Sequence, residues 1–129
     1  MEYSSGRMAK KRILFVDNRP ENIRQPLLRL QVAGYEVDEA SSGDAALKKL
    51  RENGYHLLIL DAELPDEDGW DVLRQVRADP GLAGLKVIVL MAPKGETSKL
   101  VLVPVDAELR RPFNMGELLG AVERVTGPP

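Results

Sequence analysis

Two acids stand out by where they fall. Asp61 closes the apolar run Leu57-Leu58-Ile59-Leu60, and Asp17, followed by Asn18, closes Ile13-Leu14-Phe15-Val16. Four more acids, Glu63, Asp66, Glu67 and Asp68, follow Asp61 within seven positions. If the two runs are neighbouring strands, Asp17, Asn18 and Asp61 share one pocket. Clustered carboxylates repel, so the pocket favours either a raised pKa or a bound cation. Oxygen-only ligands suit Mg²⁺, which commonly takes one or two carboxylates plus waters and phosphate. A carboxylate beside that ion can also attack phosphorus and form an acyl phosphate. Arg110-Arg111, just before Pro112, either are surface charge or supply the cation such a pocket wants; Arg111 is expected to point into it.

Each residue also has a plainer reading. Asp61 could cap a turn at a strand end. The side chains of Asp66 and Glu67 read as a solvated loop. His56, the lone histidine, reads as structural, and Trp70 as packing at a helix start.

The elements that must position these groups are legible from periodicity. Three runs, 13–16, 57–60 and Val87-Ile88-Val89-Leu90, are apolar at every position. Such strands are buried on both faces, as in a parallel sheet covered by helices. Tyr35 to Ala40 alternates instead, which suits an edge strand. Helical spacing appears around 20–33, with Pro20 suited to the first position and Gly34 to the stop. Pro26 should kink or delay that helix. A second helix over 43–53 has Ser42 as cap and Gly54 as stop. A third covers 69–78, and the last opens with Asn114 and Glu117 in a capping box, with core stripe Leu118, Leu119, Val122, Val125. Segment 94–110 predicts an irregular or shortened helix followed by a strand near 106–110. The repeated β-α pattern predicts a doubly wound five-stranded parallel sheet, with its site at the carboxyl ends of the strands.

Size and composition narrow the function classes. The 129 residues suit one domain. We expect a tail over 1–10, a globular unit over 11–126, and a tail or linker start over 127–129, with Met8 a candidate natural start. The net charge of −2 argues against a general nucleic-acid or membrane binder. With no cysteine there is no disulfide, thiolate metal site or cysteine nucleophile. No apolar run approaches the roughly 18 residues of a membrane helix, and no signal core is visible, so a cytoplasmic protein is the expectation.

The stretches "ILFVDNRPEN", "LLILDAELPDEDGWDVLRQVR", "VIVLMA" and "RRPF", in this order and spacing from Lys11 to Val125, resemble the receiver domains of two-component response regulators. The resemblance implies a flavodoxin-like fold with strand order 2-1-3-4-5. It implies a phosphoryl group accepted on Asp61 from a sensor histidine kinase or phosphotransfer protein. It implies Mg²⁺ held by Asp17, Asn18, Asp61 and the backbone carbonyl of Glu63, and signalling to a downstream protein or through a homodimer. Such a domain is no enzyme beyond assisting its own phosphotransfer and dephosphorylation. It has no direct nucleic-acid or membrane contact.

Four positions depart from the family pattern. Asn18 replaces the second acid of the strand-one pair, so Mg²⁺ binding should be weakened or lost. Met91 replaces the hydroxyl residue ending strand four. A thioether donates no hydrogen bond, and losing one such donor costs on the order of 10²–10³ in rate. Arg111 replaces the family lysine; its planar fork is not interchangeable with a compact ammonium. Glu108 replaces the switch aromatic. A cis bond is expected at Arg111-Pro112. Two functions compete: a phosphoaccepting receiver with an atypical switch, and a pseudo-receiver acting as a phosphorylation-independent interaction or dimerisation module. A flavin or nucleotide binder needs a Gly- or Ser/Thr-rich loop after strand one, and "DNRPENIR" offers neither.

Overall fold

The computed structural model describes residues 10–64, 69–93 and 103–129. The chain runs β1 (Arg12–Val16), α1 (Pro20–Ala33), β2 (Glu36–Ala40), α2 (Gly43–Glu52), β3 (Leu57–Asp61) and α3 (Gly69–Ala78). After a short 3-10 turn (Pro80–Leu82) come β4 (Lys86–Met91), β5 (Ala107–Arg110) and α4 (Met115–Thr126). The five strands form one parallel sheet in the order β2-β1-β3-β4-β5. The irregular helix expected before β5 falls largely on 94–102, outside the described residues.

The continuous apolar runs are explained by burial on both faces. Alternate residues serve opposite layers, because side chains along a strand point to opposite sides. Leu14, Val16, Leu58, Leu60, Val87 and Val89 pack with α2 and α3 through Ala46, Leu47, Leu50, Val72, Leu73 and Val76. Ile13, Phe15, Leu57, Ile59, Ile88 and Leu90 face α1 and α4 through Ile23, Leu30, Leu118, Ala121 and Val122. Trp70 is buried in the first of these layers, as a helix-start packing residue. The edge strand β2 buries Val37 in the layer of α1 and α4, in keeping with its alternation, and Ala40 on the opposite face.

Local signals set most boundaries. Gly34 ends α1 with φ 112°, a left-handed conformation that glycine adopts at little cost. The hydroxyl of Ser42 accepts from the Ala45 N–H and caps α2. The Asn114–Glu117 capping box opens α4, at 2.7 and 2.9 Å. Two expectations need correction. Pro26 does not delay α1, which begins at Pro20 and continues through it with Pro26 buried. The end of α2 is Asn53 rather than Gly54: the Asn53 N–H still makes a helical bond to the Lys49 carbonyl, but its backbone has already turned extended, at φ −134° and ψ 155°. His56 is structural: its Nδ1 accepts from the Arg12 N–H at 3.0 Å, tying β1 to the loop before β3.

Candidate functional site

The strand order reverses between β1 and β3, which are hydrogen-bonded neighbours with Val16 opposite Leu60. Asp17 and Asp61 therefore come off adjacent strands at the same level. This is the switch point where open α/β sheets place their ligands. Both acids are buried, Asp17 completely, and they are the only buried charged residues among those described.

Each is held by the turn that follows it. Asp17 Oδ1 accepts from the Arg19 N–H at 3.0 Å, and Asp61 Oδ1 accepts from the Glu63 N–H at 3.0 Å. These are the same device used twice: an aspartate folding back on the backbone two residues on, which fixes the side chain and starts a turn. Asp17 is anchored further by its own N–H to the Ala40 carbonyl, and Ala62 by its N–H to Leu90. Gly69, first residue of α3, comes so close to the end of β3 that an added Cβ would lie 2.5 Å from the Asp61 carbonyl oxygen. Gly69 thus meets a steric requirement of the acid's own backbone.

Arg111 completes the cluster from just past β5. Its backbone N–H donates to the Met91 carbonyl at 2.8 Å. Its guanidinium lies 2.8 Å from Asp17 Oδ2 and 3.6 Å from Asp61 Oδ1. Arg111 therefore points into the acidic pocket and spans both carboxylates, with the shorter contact to Asp17. The Arg111–Pro112 bond is cis, as expected. Burial pushes the Asp61 carboxyl above its ordinary range, with Asp17 and Glu63 adding to the rise. The Glu63 N–H and the Arg111 guanidinium pull the other way.

Asp61 and Arg111 line a cleft of about 360 Å³ whose walls also include Asn18, Arg19, Glu63, Ala92 and Pro93; Asp17, wholly buried, is not one of its walls. Asn18 is exposed at its rim. Two expected site residues stand apart from it. Met91 is buried in the layer shared with α2 and α3, and it is Ala92 that reaches the cleft. Glu108 is exposed on β5 and pairs with Arg110 at 3.6 Å, away from the acids. Among the described residues no group of three His, Cys, Asp or Glu side chains could hold a metal. The groups that could offer oxygens to a cation here are the Asp17 and Asp61 carboxylates, the Asn18 side-chain amide and the Glu63 carbonyl, a set within the one or two carboxylates Mg²⁺ commonly uses. A second cleft of about 360 Å³ opens where β3 and β4 begin, lined by Leu50, Arg51, Tyr55 and Asp79. Its charges, Arg51 and Asp79, already pair at 3.6 Å, and it has no buried acid pair.

Sequence reasoning brought Asp17, Asn18, Asp61, Glu63 and Arg111 to one place. It did not single out the Arg19 N–H, for which the signal was the Asp-x-Arg spacing before a helix.

Residues 13–123 match the family described as response regulator receiver domain. The transcriptional regulatory protein KdpE of Mycobacterium tuberculosis is 36% identical over 109 residues, covering 83% of this chain and 47% of that protein. GltR, a transcriptional regulatory protein of Pseudomonas aeruginosa, is 36% identical over 114 residues, covering 86% and 47%. The chain thus spans about half the length of these curated relatives. Among solved structures, a response regulator from Chloroflexus aurantiacus superposes with TM-score 0.84 at 30% identity, covering 89% of this chain and 96% of that one. The receiver domain of the sensor histidine kinase PA1611 of P. aeruginosa, solved with magnesium coordinated in its active-site cleft, gives 0.84 at 26%, covering 92% and 99%. No helix among the described residues is long and apolar enough to cross a membrane.

Proposed function

The chain belongs to the response regulator receiver family of two-component signalling, and from that premise we propose that Asp61 is its phosphoryl acceptor, working with Mg²⁺. The observation that carries the reading is the pair of buried acids at the switch point, Asp17 and Asp61, with a cation reaching both. Asp61 Oδ1 is occupied by the Glu63 N–H, so we assign Oδ2 as the nucleophile. The new bond joins Oδ2 to phosphorus as the bond from phosphorus to the donor histidine nitrogen breaks, its electron pair staying on that nitrogen. A preorganised carboxylate of this kind needs little movement to react.

Asp17, Asp61, Asn18 and the Glu63 carbonyl are the groups we assign to Mg²⁺. When bound, the ion would neutralise charge on the incoming phosphoryl oxygens. Asn18 supplies an oxygen without a charge, so we expect weak binding. Arg111 is the group we expect to hold a phosphoryl oxygen, since a guanidinium matches phosphate geometry.

The switch we propose is atypical. Met91 is buried among apolar side chains and offers no hydroxyl, and Glu108 stands on β5 where the family carries an aromatic. The donor we propose is a sensor histidine kinase or phosphotransfer protein. The output would pass by contact with a downstream protein or a second copy, not with nucleic acid or membrane. We infer no catalysis beyond help with the domain's own phosphotransfer and dephosphorylation.

The test is intact mass after incubation with a small phosphodonor and Mg²⁺. One phosphoryl group should appear, be absent from Asp61→Asn, and fail to form in EDTA. A folded protein that gains nothing from the small donor or from a histidine phosphotransfer protein would sink the reading and leave a pseudo-receiver.

A further inference from the structure

We propose that Arg111 is a built-in competitor for the divalent cation, so that metal enters the cleft only as the guanidinium gives up Asp17. The inference rests on the reading of the cleft as a metal and phosphoryl site, and goes beyond it by naming what sets metal affinity.

The geometry is specific. Asp17 has both oxygens engaged: Oδ1 by the Arg19 N–H at 3.0 Å and Oδ2 by Arg111 at 2.8 Å. It is fully buried, so no water competes for Oδ2 from outside. Arg111 contacts Asp17 more closely than Asp61, 2.8 against 3.6 Å. Its tighter partner is thus an acid assigned to the metal, not the one assigned to phosphorus. The base of the side chain cannot drift, because the Arg111 N–H is held by the Met91 carbonyl at 2.8 Å.

Charge points the same way. Asp17 and Asp61 carry two negative charges and Arg111 one positive; Glu63 and Arg19, which also line the cleft, offset each other, and the neighbouring Asn18 adds none. With the guanidinium seated, one net negative charge remains to attract a divalent ion. With it withdrawn, there are two. Arginine is also a stronger competitor than a lysine: its charge is permanent and its fork is pre-organised, so less freedom is lost in pairing. The ion and the guanidinium thus exclude each other at Asp17 Oδ2. The phosphoryl group offers Arg111 a second place to go.

The experiment is direct metal binding, read without phosphorylation. Free Mn²⁺ is followed by electron paramagnetic resonance during titration of the full chain, with Mg²⁺ as competitor. The proteins are wild type, Arg111→Lys, Arg111→Gln and Asp17→Asn, each checked for folding by its melt. Loss of the competing charge should tighten Mn²⁺ binding about tenfold or more in Arg111→Gln. Arg111→Lys, which keeps the charge without the fork, should fall between it and wild type. Asp17→Asn should lose the site. Wild-type binding that disappears in Asp17→Asn but is unchanged or weaker in both Arg111 variants overturns the competition and leaves the cleft reading intact. No binding by any of the four, or binding indifferent to Asp17→Asn, overturns the cleft reading and this inference with it.

Discussion

Gly69→Ala and Gly120→Ala are the same chemical change at two helical glycines, and the structure assigns them opposite signs. In a helix interior alanine is worth up to about 1 kcal/mol over glycine, partly through the unfolded chain. At Gly120, exposed on α4, an added Cβ meets nothing within 4 Å, so the gain should appear. At Gly69 the Cβ would lie 2.5 Å from the Asp61 carbonyl oxygen, 2.8 Å from that of Ala62 and 2.9 Å from the Ala62 carbonyl carbon. All three are backbone atoms, with no flexible side chain to swing away. The end of β3 or the start of α3 must retreat by about half an ångström, against the Gly69 N–H to Ala62 bond of 3.1 Å. Overpacking of this kind costs about 1–3 kcal/mol. Set against a small propensity gain at a helix start, the net loss is about 1–2 kcal/mol. For a domain of this size that lowers the melting temperature by about 3–10 °C, while Gly120→Ala should raise it by a few degrees. The acceptor carboxylate hangs from the displaced backbone, so phosphorylation of Asp61 in Gly69→Ala should slow by about tenfold or more. Paired thermal melts and a phosphodonor time course measure both. A Gly69→Ala protein that melts at or above wild type would refute the claim that this glycine is required by close approach.

Two further expectations concern pH. Asp61 titrates above its ordinary range in the folded chain, chiefly through burial, so the stability it contributes is full below about pH 4 and is lost as pH rises through the raised value. In EDTA, Asp61→Asn should therefore melt above wild type at pH 7, with the gap closing towards pH 4; a variant that melts lower at pH 7 contradicts the sign. Tyr55 donates to Asp38 at 2.6 Å, and burial first, then that bond, pushes its hydroxyl up to about 12 from 10.0. Its contribution is full below about pH 10 and declines as pH climbs towards 12. Tyr55→Phe should lose about 1 kcal/mol at neutral pH and lack that decline, as denaturant midpoints at pH 8 and 11 would show.

The sequence alone determined the elements and the identity of the acids. Runs apolar at every position have one economical explanation, a sheet buried on both faces, and Asp17 and Asp61 end two of them. Capping at Ser42 and Asn114 was legible because it depends on residues three positions apart. Signals of that range live in the local chain, where periodicity and hydrogen-bonding reach are fixed by backbone geometry. The expected end of α2 missed by one residue: the backbone turns extended at Asn53, one step before the glycine.

Tertiary structure decided what depends on distance between segments far apart in the chain. Arg111 lies 94 residues from Asp17, and which carboxylate its fork favours depends on where β5 ends relative to β1. No spacing rule contains that. Met91 is a site residue by order along the chain, yet the pleat at the end of β4 turns it into the core and leaves Ala92 at the cleft. The reason for Gly69 appears only once α3 packs on the end of β3. A side chain's type is a property of the sequence. Its partner is set by how the layers close, since interiors pack densely and each contact fixes the next.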